Sequence, residues 1–428
     1  MSNIDANAEQ KSQGKPCQLH PQSMCPAFGS LRILTRLEGS HPVMATDTGC
    51  LYGLTFVTHF YGARKSIVAA HLGTEELMAG EVVEGTRDAI EVAAQEPNAR
   101  LIPVVSLCVA ETAGLPEEML PKKVNGADVV LVRVPAYAIH SHPEAKDIAI
   151  SALLNRLGDT ELPKQKKTLV LLGEVFPADP LVINATLRKM GVEDTITLPG
   201  RSIDDLHVAA SVGAVAPLHP FYKETMQTFR NWDIPVVGGA PVGASGSYAW
   251  LKSIGKLLNL DPELVDQVAD EERAKAEAIL AANDLTGANI IVSGYEGTEL
   301  AYARMLVEAG ATVPYVSTSI GSSPLVLPDE LWLKQRGTQQ VVYRKTLEDD
   351  MRALDDYDVD LVFGTTPFCA EAKDRGIPAV YFTNQLASRP FFLTGGMAAT
   401  LSFVKNMLSR EDKYKWMHDF FELEVING

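Results

Sequence analysis

The sequence is poor in cysteine, lacks long apolar stretches and has a deficit of positive charge. Its 428 residues include five cysteines, and no two of them form the CxxC pair that is typical of structural zinc sites. No uninterrupted apolar run approaches the roughly 20 residues that span a bilayer. With 38 Lys and Arg against 54 Asp and Glu, the formal net charge is -16. We therefore expect no transmembrane segment and no nucleic-acid partner, since nucleic acids bind basic faces.

The N-terminal stretch MSNIDANAEQKSQGKPCQ is polar and lacks the apolar core of a signal peptide. This pattern predicts a cytoplasmic protein. Thiols stay reduced in the cytoplasm, so an odd number of cysteines favours metal ligands, buried thiols or a nucleophile over a disulfide framework.

Short apolar runs alternate with helical patterns through most of the chain. KKTLVLLGE and PLVINATLRKMG begin one such series, and ANIIVSG and TELAYARMLVEAGA begin another. Parallel strands that are buried on both faces form continuous Val, Ile and Leu runs joined by helices. The pattern predicts an α/β protein of three doubly wound, Rossmann-like parallel-sheet domains.

The predicted organisation has five parts. A polar tail over 1–22 precedes a first α/β domain over 23–165, which carries three of the cysteines. A second α/β domain with a connecting helix covers 166–285, and Asp261 with Pro262 marks the start of that helix. A third α/β domain covers 286–385, and a helical segment over 386–428 packs back on another domain.

Three cysteines head loops that are rich in small residues. Cys25 precedes PAFG, whereas Cys50 and Cys108 follow predicted strands, at the sheet edge where ligands usually bind. Thiolates from chain-distant loops can converge on one point, as the ligands of an iron–sulfur cluster do. A fourth ligand could come from Cys17, from Cys369 or from a second polypeptide. We expect Cys17 to be a free thiol and Cys369 to be a buried thiol at the start of a helix.

The residues alone leave other interpretations open. Free cysteine is among the most buried residue types, so the three thiols could simply belong to the core of a cluster-free, doubly wound enzyme. A zinc site is a weaker alternative, because the close-set pairs are missing. A nucleophilic cysteine is also possible, although no histidine stands in a recognisable context near any of the three.

Several separate motifs resemble the Y-subunit family of chlorophyllide a oxidoreductase. This family is nitrogenase-like and related to the dark-operative protochlorophyllide reductase. The resemblance covers essentially the whole chain from about residue 20. Its motifs are MCPAFGSLR, GCLYGLTFVTHFYGARK, LCVAETAGLPEEMLPKKVNGADVVLVRVPAY, LLGEVFPADP, HPFY and GGAPVGASGSYAWL.

The resemblance implies a nitrogenase-component-like architecture and a shared cofactor. Cys25, Cys50 and Cys108 match the family's three ligands to the iron of a 4Fe-4S cluster, and a Z subunit gives the fourth ligand across the interface. Two Y and two Z subunits are expected to form a heterotetramer. Cys17 and Cys369 do not match the ligand motifs.

The implied activity is that of an oxidoreductase subunit in bacteriochlorophyll biosynthesis, which acts only within a complex. The complex reduces the C7=C8 double bond of ring B of chlorophyllide a by two electrons and two protons. A separate reductase homodimer with its own 4Fe-4S cluster hydrolyses ATP, and this chain accordingly lacks a GxxxxGK[ST] phosphate loop. The alternative is a nitrogenase-like scaffold or maturation protein that binds a cluster or tetrapyrrole without reducing the ring.

The substrate is a flat, largely apolar macrocycle, so its pocket should be apolar with a few orienting polar groups. The residues next to the cysteines that could line the pocket, or equally pack in a core, are Met24, Phe28, Tyr52 and Phe56.

No catalytic residue is assigned from the sequence. Glu111, His59 and His219 are titratable groups near the motif loops, but none stands out as a proton donor. Gly294 and Gly297 in SGYEGTELAYA lack a full dinucleotide fingerprint, and they indicate a turn that enters a helix.

Overall fold

The computed structural model describes residues 24–60, 67–70, 72–173 and 180–427, except for the side chains within 55–60 and 421–427. Parallel strands alternate with helices in each of three sheets, so the predicted α/β class is confirmed. The described residues form two compact units. One contains 24–35 and 39–145, and the other contains 36–38 and 146–427. The five-part organisation stays a prediction.

The first unit is built on a five-stranded sheet that is parallel except for one short edge strand. The central strand is buried at every position. Helix Val82–Ala93 covers it because its buried residues recur every three or four positions, which gives one apolar face. In sheet order, the strands are Val68–Ala69, Val43–Ala45, Leu101–Ser106, Ala127–Arg133 and Lys123–Val124.

Short helices connect the strands of this unit. The last of them continues into the second unit. They are the α-helices Pro26–Leu34, Thr48–Phe60, Thr74–Ala79, Val82–Ala93, Cys108–Thr112 and His142–Leu157, and the 3₁₀ helix Glu117–Met119.

The second unit contains a three-stranded and a five-stranded sheet, both wholly parallel. The three-stranded sheet has the order Asp194–Leu198, Gln165–Leu172, Val212–Pro217, and Val236 extends its edge through a parallel bridge to Val215. The five-stranded sheet has the order Gln340–Tyr343, Tyr315–Thr318, Ile290–Ser293, Leu361–Gly364, Ala379–Tyr381. Its first strand in the chain lies at the centre and later strands add on both sides, which is the doubly wound pattern.

The helices of the second unit cover its two sheets. They are Pro180–Lys189, Asp204–Val208, Lys223–Asn231, Gly243–Leu257, Pro262–Ala282, Glu299–Glu308, Leu327–Lys334, Leu347–Asp356, Thr366–Asp374, Phe382–Ser388, Leu393–Leu408 and Glu411–Asn427, with a 3₁₀ helix at Ala209–Ser211. No helix in the described ranges is both long enough and apolar enough to cross a membrane.

The predicted connecting helix is confirmed as Pro262–Ala282. The Asp261 side chain accepts a hydrogen bond from the backbone N–H of Glu263 at 3.0 Å, which is the capping that its sequence predicts. Helix Leu393–Leu408 packs against it, and the Thr394 hydroxyl donates to the Glu272 carboxylate at 2.7 Å. Helix Leu393–Leu408 thus packs within the second unit, and the contact of the 386–428 segment with another domain stays a prediction.

Candidate metal centre

The three candidate ligands lie where loops become helices in the first unit. Cys25 occupies the N-cap position of helix Pro26–Leu34, and Pro26 fixes the first helical turn. Cys50 lies in the first turn of helix Thr48–Phe60, which follows a buried strand. Cys108 is the first residue of helix Cys108–Thr112, immediately beyond the central strand.

Electrostatic interactions link the three thiols through Cys25. Burial raises the pKa of the Cys25 thiol, and the neighbouring Cys108 adds to that increase. Cys25 in turn contributes to the raised pKa of Cys50. Cys25 thus lies within electrostatic interaction range of Cys50, which is 25 positions later in the chain (50-25), and of Cys108, which is 83 positions later (108-25).

Asp47 organises the turn that presents Cys50. One of its carboxylate oxygens accepts from the backbone N–H of Gly49 at 2.8 Å and of Cys50 at 3.1 Å. Burial would raise the pKa of Asp47, but the hydrogen bonds from Cys50 and Gly49 outweigh it and lower that pKa. Burial, together with the hydrogen bond to Asp47, raises the pKa of Cys50 to about 11. These surroundings favour the protonated form of Cys50.

The described cysteines fall into two groups according to how much of each is exposed to solvent. Cys50 is exposed and Cys25 and Cys108 are half-buried, so the interpretation of these three as core thiols is wrong. Cys369 is 5% exposed within helix Thr366–Asp374, and burial raises its pKa to about 11. The expectation of a buried thiol at the start of a helix is confirmed for Cys369, whereas Cys17 lies outside the described residues.

The arrangement does not suit a single metal ion. Among the residues that the structure describes, no three His, Cys, Asp or Glu side chains are grouped closely enough to bind one ion. In a four-iron cluster each thiolate binds a different iron, so its ligands stand farther apart than those of a mononuclear site. Cys25, Cys50 and Cys108 are the thiols that this unit would offer to such a cluster.

Hydrogen bonds fix the position of Cys108. The backbone N–H of Ala136 donates to Cys108 Sγ at 3.2 Å. In the same helix, Glu111 accepts from the Arg133 guanidinium at 2.8 and 2.9 Å, and the Ser106 hydroxyl also donates to it. Ser106 and Arg133 face each other on adjacent strands. Glu111 is therefore an anchor of the Cys108 helix.

Sequence reasoning missed Asp47, Arg133 and Ala136. Asp47 carried a usable signal, because aspartate followed by Thr-Gly often accepts hydrogen bonds from the backbone of a turn. Ala136 carried none, since it acts through its main-chain N–H, which nearly every residue type has.

The structure gives the predicted pocket residues different surroundings. Met24 and Phe28 are half-buried, whereas Tyr52 is 78% exposed. The side chains of Phe56 and His59 lie outside the described residues. The pocket stays a prediction.

Two other sequence features lie in the second unit. His219 is buried and its ring stacks on Phe221 with a centroid distance of 5.1 Å. In the SGYEGTE loop, the Glu299 carboxylate accepts from the backbone N–H of Glu296 at 2.8 Å and of Gly297 at 3.3 Å. The protein's own carboxylate thus takes the amides that a phosphate would need, which supports the interpretation of this loop as a helix-entry turn.

Comparison with known proteins identifies what the chain is similar to. Residues 25–409 match the family model described as nitrogenase component 1 type oxidoreductase. The chain is 38% identical over 415 residues to the chlorophyllide reductase 52.5 kDa chain of Cereibacter sphaeroides, covering 94% of this chain and 82% of that one. The counterpart from Rhodobacter capsulatus is also 38% identical, over 416 residues and with the same coverage.

A solved structure supports the predicted architecture. The structure titled nitrogenase Cp1 at pH 6.5 superimposes with a TM-score of 0.79 and covers 95% of this chain and 97% of its own. At 18% sequence identity this likeness concerns the fold alone. The nitrogenase-component-like architecture is confirmed.

Proposed function

Because this chain belongs to the nitrogenase component 1 type oxidoreductases and, within them, to the family of the chlorophyllide reductase 52.5 kDa chains, we propose that it is the catalytic-component Y subunit of a chlorophyllide a oxidoreductase. In this role it is an oxidoreductase that works in a multi-subunit complex. The proposed reaction is reduction of the C7=C8 double bond of ring B, a step in bacteriochlorophyll biosynthesis.

The observation that carries the proposal is that three motif cysteines lie in one unit and interact electrostatically through Cys25. Cys25 interacts electrostatically with both Cys50 and Cys108, and none of the three is in the core. Cys50 is exposed, so its thiol is available to a group that a second subunit completes. These features support a 4Fe-4S cluster with three ligands from this chain and one from a Z subunit.

The residues around the thiols bear on how the three cysteines would bind a 4Fe-4S cluster. When bound, the cluster supplies an electron-transfer centre. Cys25, Cys50 and Cys108 would hold the cluster as thiolates, so Cys25 and Cys50, whose pKa values are raised, would release their protons on loading. The Ala136 N–H donates to Cys108 Sγ, and hydrogen bonds to ligand sulfur are one of the factors that set a cluster's potential.

The partners follow from the same proposal. We propose a heterotetramer of two Y and two Z subunits, and a reductase homodimer that hydrolyses ATP and delivers electrons. The absence of a phosphate loop from this sequence supports the assignment of ATP to another chain. We place the complex in the cytoplasm.

The test is iron and acid-labile sulfide analysis after anaerobic co-expression with the Z-like subunit. We expect about four irons per pair of subunits, as one such cluster requires, and loss of most of that iron in Cys25→Ser, Cys50→Ser and Cys108→Ser. The matched controls are Cys17→Ser and Cys369→Ala, which should keep their iron.

Turnover separates the proposed reductase from the alternative scaffold. The loaded complex should reduce chlorophyllide when ATP and the reductase are added, and a scaffold or maturation protein would carry iron without turnover. Iron retained in all three cysteine variants would contradict the ligand assignment.

A further inference from the structure

A cleft in the second unit is remote in sequence from the cysteine motifs. Two of its walls are the loop after the parallel strand Val212–Pro217 and the stretch that continues from Val236, which forms a parallel bridge to Val215 of that strand. Helices that flank the five-stranded sheet close the opposite side. The cleft is lined by Pro217, Leu218, His219, Pro220, Met226, Arg230, Val236, Val237, Gly238, Gly239, Ala240, Ala301, Leu325 and Asp329.

The size of the cleft excludes a tetrapyrrole. Its volume is about 150 Å³, which is room for on the order of ten water-sized groups. Pockets for larger ligands enclose roughly 300 to 1,000 Å³. The occupant is therefore a small molecule, and the mostly aliphatic walls favour one with an apolar body.

Arg230 places a positive charge at the cleft that no ion pair with another described residue balances. It lies four residues after Met226, on the same face of helix Lys223–Asn231. Within the described ranges of the chain, its guanidinium has no ion pair or hydrogen bond with another residue. Asp329, the acidic residue in the lining, is already paired, because Arg304 Nη1 lies 2.5 Å from its Oδ1. The cleft therefore has a net positive charge at Arg230.

The wall formed by the stretch after Val236 leaves the main chain accessible. A Cβ built on Gly238 or Gly239 would meet no atom within 4 Å, so a ligand can approach the backbone there. The conformation of Gly239, with φ +73°, is one that side-chain-bearing residues rarely adopt. An arginine, an open glycine backbone and aliphatic walls together suit one chemical class.

We propose that this cleft binds a small organic monocarboxylate, with the carboxylate on Arg230 and the apolar body against the Pro217–Pro220 loop, Met226 and Val237. The site does not depend on the cluster or on the proposed reaction. A charge-assisted contact to a guanidinium distinguishes an acid from its uncharged analogue, whereas the walls distinguish it from an inorganic anion.

The test is isothermal titration calorimetry on the full chain, purified with its partner, at constant ionic strength. Benzoate is the probe, benzamide is its uncharged analogue, and inorganic phosphate is an anion without an apolar body. We expect benzoate to bind at least about tenfold more tightly than either of the others, as one charge-assisted hydrogen bond would give. Arg230→Gln should remove the preference of benzoate over benzamide.

Two further variants locate the site. Gly238→Leu adds a bulky side chain to a residue that lines the cleft and should abolish benzoate binding, with an unchanged circular dichroism spectrum. Arg188→Gln alters another exposed arginine in the last turn of a helix and should leave binding unchanged. All three variants should keep the iron content of the parent, because none lies in the unit that carries the cysteines.

The proposal is overturned if benzoate and benzamide bind equally well to the parent chain. It is also overturned if phosphate matches benzoate, or if Arg230→Gln retains the preference for the acid. These outcomes do not involve iron or chlorophyllide turnover, so they are distinguishable from failure of the proposed function.

Discussion

Asp147 is a buried carboxylate that joins two helices. Its oxygens accept from the backbone N–H groups of Glu224 at 2.7 Å and Thr225 at 2.8 Å, in the first turn of helix Lys223–Asn231. Burial raises the pKa of Asp147 to about 6, and the hydrogen bonds from the two amides offset only part of that effect. Between about pH 4 and about pH 6, the folded protein therefore keeps a proton on Asp147 that the unfolded chain has already lost.

This raised pKa predicts a stability that falls with increasing pH. A group whose pKa is higher in the folded state contributes stability below its unfolded pKa and loses it as the pH rises through the folded pKa. Going from about pH 4 to about pH 7, the parent should lose about 2 kcal/mol relative to Asp147→Asn, whose side chain does not titrate. Urea unfolding of both proteins across this range measures the difference. A constant difference would show that Asp147 titrates normally.

The five-stranded sheet of the second unit contains a buried ion pair that ties strands to a helix. Lys345 and Asp350 are both 0% exposed, and Lys345 Nζ lies 2.9 Å from Asp350 Oδ2. Asp350 also accepts from the hydroxyls of Ser293, Tyr315 and Ser317 on two adjacent strands. Helix Leu347–Asp356 is thus linked to the sheet by the Asp350 carboxylate, and both of its oxygens accept hydrogen bonds.

Removing one partner of this pair should be costly. Lys345→Met leaves a buried carboxylate without its counter-charge, and we expect a loss of about 3–5 kcal/mol in the free energy of unfolding. The double variant Lys345→Met with Asp350→Leu should recover part of that loss, because it removes the uncompensated charge. Chemical denaturation of the three proteins gives the comparison. A single-variant loss of less than about 1 kcal/mol would contradict the prediction.

The described chain divides into two compact units, and Gly29 offers a way to perturb one of them alone. A Cβ on Gly29 would lie 1.8 Å from the carbonyl oxygen of His142, and both residues belong to the first unit. No glycine-specific backbone angle is needed here. The close contact with a backbone carbonyl is what excludes a larger side chain.

Gly29→Ala should therefore destabilise the first unit by about 1–3 kcal/mol, the usual cost of overpacking, or more because a carbonyl cannot readily move aside. In hydrogen-exchange mass spectrometry, protection should fall within 24–35 and 39–145 and stay unchanged within 146–427. The matched control is Gly53→Ala, where a Cβ meets nothing within 4 Å. An equal loss of protection in both units would mean that they unfold as one.

The fold class was accessible from the sequence because strand and helix periodicities are local. The alternation after residue 166 predicts parallel α/β sheets, and Asp261 with Pro262 predicts the start of the connecting helix. The spacing of the three motif cysteines could not by itself exclude a core role. That exclusion needed their exposure, which depends on how the surrounding loops pack.

Local chemistry in the chain determined the α/β class, the positions of caps and turns, and which thiols are candidates for a metal. Tertiary structure alone decided that strand Ile290–Ser293 lies at the centre of its sheet, that the Ala136 N–H meets Cys108 Sγ, and that Arg230 faces a cleft. The physical reason is the range of the interactions. Periodicity and capping involve neighbours within a few residues, whereas these contacts form between distant segments once hydrophobic burial has brought them together.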